Sequence, residues 1–384
     1  MALTIPNKLP QVGTTIFTVM SQLANECGAI NLSQGFPDFD VPKPLRQLLH
    51  EHCEQGHNQY SPMTGIAPLR EQICQLIERA YSVSVNVDRE VTVTTGATEA
   101  LYAAFSAMVS SGDEVIVLDP AYDSYAPAIE LAGGQPVHIP LIDGTFAVDW
   151  DRVRSVITPR TRMIVVNSPH NPTGAVFRPA DLEALWALVK GTNILVLSDE
   201  VYEFMTYDGQ AHQSVLRHEG LRQQALVISS FGKTYHATGW KVGYMVAPEA
   251  LTREFRKVHQ FLNFCTMTPA QFAYADFLRS EPNHPIELPD FYQAKRDTFA
   301  TMLGQTRFKF TPAPGTYFQC ADYSDISDLP DTEFARWLTT EHGVAVIPVS
   351  VFYRDPPKHQ KVVRFCFAKD DQTIAEAGAR LCQL

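Results

Sequence analysis

The stretch SSFGKTYHATGWKVGY, Ser229 to Tyr244, holds a lysine in an unusual setting. Lys233 stands just past the apolar run Ala225 to Ile228, which reads as a buried strand, and hydroxyls and glycines crowd around it. Three chemistries use a lysine so placed. A nucleotide-binding phosphate loop needs a glycine five positions before Gly232, and Val227 is there instead. A serine acyl-transferase of the S-x-x-K kind is matched by Ser230 and Lys233, but the chain has no S-D-N, and Lys233 and Thr234 lead into Tyr235 rather than glycine. The third is a Schiff-base lysine, whose amine must lie within reach of an aldehyde and be partly desolvated to be nucleophilic.

The companions favour the third. SDEVYEF puts Asp199 at the end of an apolar run, where a carboxylate without a cationic partner is costly. The plain reading is a helix N-cap; the chemical one is a partner for pyridoxal phosphate, whose ring nitrogen must stay protonated to draw electrons. Tyr202, three residues on, is spaced to donate to the 3-oxygen of that ring. NSPHNPTG holds Asn171 among prolines and glycine as a neutral amide able to donate to the same oxygen, although such a turn alone is usually only a turn. TTGATEAL places Gly96, Ala97 and Thr98 at a helix start, where free amides and the helix dipole attract phosphate; simple capping by Thr98 is the plain alternative. Ser230 and Lys241 add a hydroxyl and a positive charge to such a cup.

These residues need a scaffold, and the sequence supplies one. EVTVTT, DEVIVLDP, RMIVVNSP, NILVLSDE and ALVISS read as short strands, with helices expected in GATEALYAAFSAMVSSG and PADLEALWALVKG between them. That alternation predicts an α/β protein with a mostly parallel sheet wrapped by helices, in which ligands bind beyond the carboxyl ends of the strands. Gly96, Tyr122, Asn171, Asp199 and Lys233 are then expected to converge. From about Pro285 the pattern changes: FYQAKRDTFATMLGQ reads as helix, FKFTPAPGTYFQCADY as strand-like and VVRFCFA as a strand, which predicts a smaller α+β domain. The expected division is 46–284 for the large domain, with 1–45 and 285–384 forming the small one.

With 384 residues, 31 basic against 42 acidic side chains and a net charge of -11, the chain is expected to bind small molecules rather than nucleic acid or an anionic membrane. Seven scattered cysteines, an odd number with no CxxC pair, suggest reduced thiols, and together with the absence of a leader-like start they point to the cytoplasm. His170, His212 and His236 fall near the motifs, but their spacing suggests no metal site, and they read as supporting or surface residues.

Taken together, SSFGKTYHATGWKVGY, NSPHNPTG and SDEVYE resemble the class I, fold-type I pyridoxal-phosphate aminotransferases over essentially the whole chain. NLSQGFPDFDVP, NQYSPMTGIAPLRE, GATEALYAA, DPAYDSYAPAI, KVHQFLNFCTMTPAQ and VVRFCFAK resemble more closely the bacterial methionine and kynurenine aminotransferase or glutamine transaminase K group. The resemblance implies a seven-stranded sheet, a homodimer with shared active sites, and pyridoxal 5'-phosphate held by Lys233. It implies that Asp199 pairs with the ring nitrogen, Asn171 and Tyr202 with the 3-oxygen, and that Tyr122 stacks on the ring where another aromatic is more usual. Phosphate falls to Gly96, Ala97, Thr98, Ser230, Lys241 and to Tyr60 from the second subunit. Arg364 is implied to bind the substrate α-carboxylate, Gly35 to let the backbone approach it, and Phe17, Tyr60 and Phe264 to line an aromatic side-chain pocket suited to a thioether or flat ring.

The activity so implied is ping-pong transfer of an amino group, from methionine or from aromatic and other neutral amino acids, to a 2-oxo acid. No second arginine is evident in the pocket-forming N-terminal segments, which argues against aspartate as the preferred donor. The rivals are a β-eliminating C-S lyase or a kynurenine- or glutamine-preferring transaminase on the same scaffold, and a regulator carrying such a domain as a sensor. The thirty residues before Asn31 are too few for a DNA-binding region.

Overall fold

The computed structural model describes Leu3 and residues 5–384. Its strands in chain order are β1 (Ile30–Asn31), β2 (Val91–Thr94), β3 (Glu114–Asp119), β4 (Gln135–Pro140), β5 (Thr161–Asn167), β6 (Leu195–Asp199), β7 (Ala225–Ser230), β8 (Gly243–Val246), β9 (Phe318–Asp322), β10 (Val344–Ala345), β11 (Ile347–Pro348) and β12 (Val362–Cys366). Seven of them form one sheet in the order β2-β8-β7-β6-β5-β3-β4. β7, β6, β5, β3 and β4 run parallel, and β8 is antiparallel to both of its neighbours. The expected seven-stranded, mostly parallel α/β architecture is present.

Alternate side chains of these strands enter different cores. Ile116, Leu118, Ile164, Val166 and Val196 point to one face of the sheet, and Val115, Val117, Met163, Val165 and Leu197 to the other. Strands buried on both faces must be apolar at nearly every position, which is why they read as unbroken runs rather than as alternation. The helix Gly96–Met108 follows β2 and packs its alanines, Leu101 and Phe105 beneath the sheet. Small side chains along one stripe let this helix lie close, and that fixes where its first turn stands relative to the strand ends.

A second sheet, β11-β12-β9, is antiparallel with β12 in its centre. β1 pairs in parallel with β10, Ile30 opposite Val344, so the N-terminal segment is stitched to the C-terminal one. Five strands were not expected: the two-residue β1, β10 and β11, and, in the large sheet, β4 and β8. β4 mixes proline, histidine and a half-exposed face, and β8 lies inside the glycine-rich stretch after Lys241, so neither shows a clear period. Conversely, the strand-like reading of FKFTPAPGTYFQCADY holds only for β9: Pro312 and Pro314 lack the amide that a ladder needs, and two isolated bridges, Thr206 with Gly315 and Lys309 with Asp322, replace it.

Candidate active site

Three neighbouring strands deliver the reactive groups. β5 ends at Asn167, which stands opposite Asp199 at the end of β6, and β7 runs from there to Ser230. The chain then turns into the short helix Phe231–Thr234, which lifts Lys233 over the strand ends. After β2, Gly96 takes a left-handed conformation (φ +72°) that starts the helix abruptly and needs glycine. Around them lies a cavity of about 210 Å³ lined by Gly96, Ala97, Thr98, Leu101, Tyr122, Asn167, Asn171, Asp199, Val201, Tyr202, Ser230, Lys233, Thr238 and Lys241. Ten residues expected from the sequence therefore meet in one place.

Burial governs the electrostatics. Asp199 is 3% exposed; Tyr125 donates to Oδ2 at 2.6 Å and the Val201 amide to Oδ1 at 3.3 Å, yet among the described residues no cation lies within ion-pair distance. Desolvation raises its pKa to about 6, with the Tyr125 hydrogen bond pulling the other way. Burial likewise lowers Lys233 to about 8. Its amine donates to the Gly35 carbonyl at 3.2 Å and lies 5.5 Å from the centre of the Tyr202 ring. No side-chain cap is formed at Thr95, which leaves the first turn of the helix Gly96–Met108 open, and Lys241 Nζ comes within 3.5 Å of the point where a Cβ on Gly96 would stand. An uncapped helix start with a lysine beside it is a site for an anion.

A second unmet charge lies next door. Arg364, 1% exposed on the central strand β12, stacks 3.9 Å from the centre of the Phe318 ring. Its Nη1 donates to Asn171 Oδ1 at 2.8 Å and its Nη2 to the Ser33 carbonyl at 3.0 Å, while Nε has no partner. A buried guanidinium held only by neutral acceptors is a receptor for a carboxylate. Phe17 lies 5.3 Å from it and Gly35 packs on Phe318, where a Cβ would come within 3.0 Å of the ring.

Tyr60 and Phe264 do not join this group within one chain. They meet each other edge to face at 5.6 Å, and Tyr60 is 85% exposed. His170 and His212 are buried rather than on the surface; His170 bonds Thr173 at 2.7 Å and His212 bonds Glu200 at 2.9 Å. His236 is half-buried against Tyr292.

The residues that sequence reasoning missed are the supports. Asn167 donates to the Asp199 carbonyl at 2.8 Å and accepts from the Asn171 amide at 2.8 Å. With the Arg364 bond to Asn171, this makes one continuous path from β12 to β6. The signal was the asparagine that closes the apolar run of β5. Tyr125 was the second tyrosine of PAYDSY, and nothing in its spacing showed which one would reach Asp199. A larger cavity, about 1160 Å³, lies behind Asn167 and His170, but Lys233 and Asp199 do not line it, and its Lys309 and Lys361 are already paired with Asp325 and Asp328.

Residues 28–381 match the family described as aminotransferase class I and II. The chain belongs to that family. Among relatives, the methionine aminotransferase of Escherichia coli is 54% identical over 98% of each chain, a probable N-succinyldiaminopimelate aminotransferase of Mycobacterium tuberculosis 39% identical over 98% of each, and mouse kynurenine–oxoglutarate transaminase 1 36% identical over 94% of this chain and 93% of its own. A solved structure of the Escherichia coli protein, reported with a methionine aminotransferase function, superposes with a TM-score of 0.97 over 100% of both chains at 54% identity. Thermus thermophilus aspartate aminotransferase superposes at 0.90 over 100% of both at 30% identity. Aminotransferases of this class depend on pyridoxal phosphate, and the residues here fit that cofactor. A buried carboxylate lacks a cation, a helix start lacks an anion, and a desolvated lysine lies between them.

For Asp199 the folded-state pKa lies above the ordinary 3.8, so the folded aminotransferase binds the extra proton and this group's penalty grows as pH rises from about 4 to about 6. In cofactor-free protein, infrared difference spectra should show a protonated carboxyl band growing in as pH falls through about 6 and missing in Asp199→Asn. A band titrating near 4 would contradict the burial argument.

Proposed function

We propose that this aminotransferase takes the α-amino group of methionine, and of aromatic and other neutral amino acids, and passes it to a 2-oxo acid in two half-reactions at one site. The observation that carries the reading is the pairing of the Lys233 cavity with Arg364, a buried guanidinium with no acidic partner among the described residues. The 54% identity to a methionine aminotransferase supports the choice of donor. Similarity to an aspartate aminotransferase at a TM-score of 0.90 shows that the fold alone does not choose it.

When bound, the cofactor supplies an aldehyde for amines and a conjugated ring that takes up electrons. The chain's own groups do the rest. Arg364 binds the substrate carboxylate as a bidentate pair, with Asn171 holding one edge of the guanidinium in place. Lys233, kept near neutrality by burial, takes the proton from the substrate Cα and gives it back, acting as base and acid in turn. Asp199 would hold the cofactor's ring nitrogen protonated, Tyr202 and Asn171 would donate to its 3-oxygen, and Tyr122 would pack against its ring. The amides of Ala97 and Thr98, with Ser230 and Lys241, hold the phosphate.

The proposal has further parts. The chain works as a homodimer: Tyr60, Phe261, Leu262, Phe264 and Met267 expose large apolar side chains, Phe261 at 86%, beside the half-built site, and Tyr60 enters the phosphate cup of the second subunit. The large unit is 46–284, and 1–45 with 285–384 form the small one, supported by the β1–β10 pairing. Seven free thiols, Cys27 and Cys382 exposed, accord with a reducing, cytoplasmic setting. The β-lyase reading is kept as a side reaction, detectable as release of ammonia from a cysteine conjugate.

Lys233→Ala should lose turnover by at least about a thousandfold while Arg364→Ala mainly lowers kcat/KM for methionine, by roughly a hundredfold or more. A Lys233→Ala enzyme at native rate, or an unchanged kcat/KM in Arg364→Ala, would end these assignments. Sedimentation should give twice the chain mass at assay concentrations, and a fully active monomer would contradict the shared site.

A further inference from the structure

The Lys233 amine has a second neighbour that the reaction described above leaves without a task. Tyr317, fully buried at the start of β9, donates its hydroxyl to the Gly35 carbonyl at 2.6 Å. That same oxygen accepts from Lys233 Nζ at 3.2 Å. A carbonyl oxygen has two lone pairs, so both donors are accommodated at once. The ring of Tyr317 also lies 5.7 Å from the amine and meets Tyr202 edge to face at 5.2 Å.

The loop around Gly35 is held on both sides, by Asn31 Oδ1 accepting from the Ser33 and Gln34 amides and by Lys369 donating to the Phe36 carbonyl at 2.9 Å, while the Gly35 carbonyl itself depends on Tyr317. Arg364 holds the loop at the Ser33 carbonyl, and Tyr317 holds it two residues on. Without the Tyr317 hydroxyl, the Gly35 carbonyl keeps only the lysine itself as a partner. The amine in turn has no carboxylate within ion-pair distance among the described residues, so this neutral oxygen is its hydrogen-bonded dock.

We propose that Tyr317 is a positioning residue for Lys233: by donating to Gly35 it fixes the carbonyl on which the lysine amine rests whenever that amine is not bonded to the cofactor. The inference rests on the aminotransferase reading for its purpose but not for its geometry. A rotatable four-carbon side chain must be held near the substrate Cα to carry the proton, and a fixed neutral acceptor does so without locking the amine in its protonated form as a carboxylate would. The depressed basicity of the buried amine fits a dock that is polar but uncharged.

The test is Tyr317→Phe, which removes one hydroxyl and leaves the ring in place. In the full chain free of cofactor, the pH midpoint for acetylation of Lys233, followed by peptide mass spectrometry, should move down by about half a unit or more, because an acceptor that favours the protonated amine is no longer held. This readout does not depend on the substrate assigned. In the holoenzyme, kcat should fall about tenfold with KM for methionine nearly unchanged, and the isotope effect from α-deuterated methionine should rise as proton transfer becomes slower. The absorbance of the lysine-bound cofactor should keep its position. An unmoved acetylation midpoint overturns the dock; a shifted midpoint with unchanged kcat and isotope effect overturns its role in turnover. Were Tyr317→Phe to melt far below the wild type, Tyr317→Trp, which fills the site with another ring lacking that hydroxyl, is read by the same midpoint.

Discussion

Two opposite charges are buried close together without each other. Among the described residues Asp199 has no cation and Arg364 no anion within ion-pair distance, and both are almost wholly removed from water. Leaving an ion unpaired in a protein interior costs several kcal/mol, roughly, so the fold must hold each one in place by force of packing and neutral hydrogen bonds. Tyr125, Val201 and Asn167 do this for the strand that ends at Asp199, and Phe318, Asn171 and Ser33 do it for Arg364. In the proposed function that cost is recovered when ligands arrive, a protonated ring nitrogen at Asp199 and a carboxylate at Arg364. Lys233 stands between them, and the same lack of water keeps its amine reactive.

The scaffold follows from that constraint. A sheet buried on both faces offers a dry floor from which several strands can present polar ends side by side: β5 and β6 end together, Asn167 opposite Asp199, and β7 runs on from Ile228, opposite Asp199, to Ser230. Arg364 comes from a different sheet and joins through Asn171. The bond path from Arg364 through Asn171 and Asn167 to the Asp199 backbone joins the two sheets, so that in the proposed function substrate recognition and cofactor support share one frame. A ligand carboxylate on Arg364 is therefore placed relative to the ring without any loop having to find its position afresh.

The sequence made much of this readable, for physical reasons. Fully buried strands are apolar throughout, so their polar terminal residues, Asp199 and Ser230, stood out at the boundaries. Motifs with fixed backbone geometry, such as NSPHNPTG and the glycine before the phosphate cup, carried their meaning in short spacing. What was not readable depends on distance along the chain. Tyr317 lies 282 residues from Gly35 and Asn171 lies 193 from Arg364, so no local pattern announces either contact. β8 was hidden because a short antiparallel strand rich in glycine has no period of its own. The exposed pair Tyr60 and Phe264, which the proposed homodimer would cover, carries no signal in one chain's pattern.

The central claim is that the unmet charges around Lys233 await pyridoxal phosphate and an amino acid. The direct measurement is the visible absorption of the purified protein loaded with cofactor, followed through addition of methionine without oxygen and then of a 2-oxo acid. The account predicts a band from the lysine-bound cofactor that fades with methionine and returns with the oxo acid. A protein that gives no band with the cofactor would contradict the role of Lys233, and a band that methionine leaves unchanged would contradict the proposed donor.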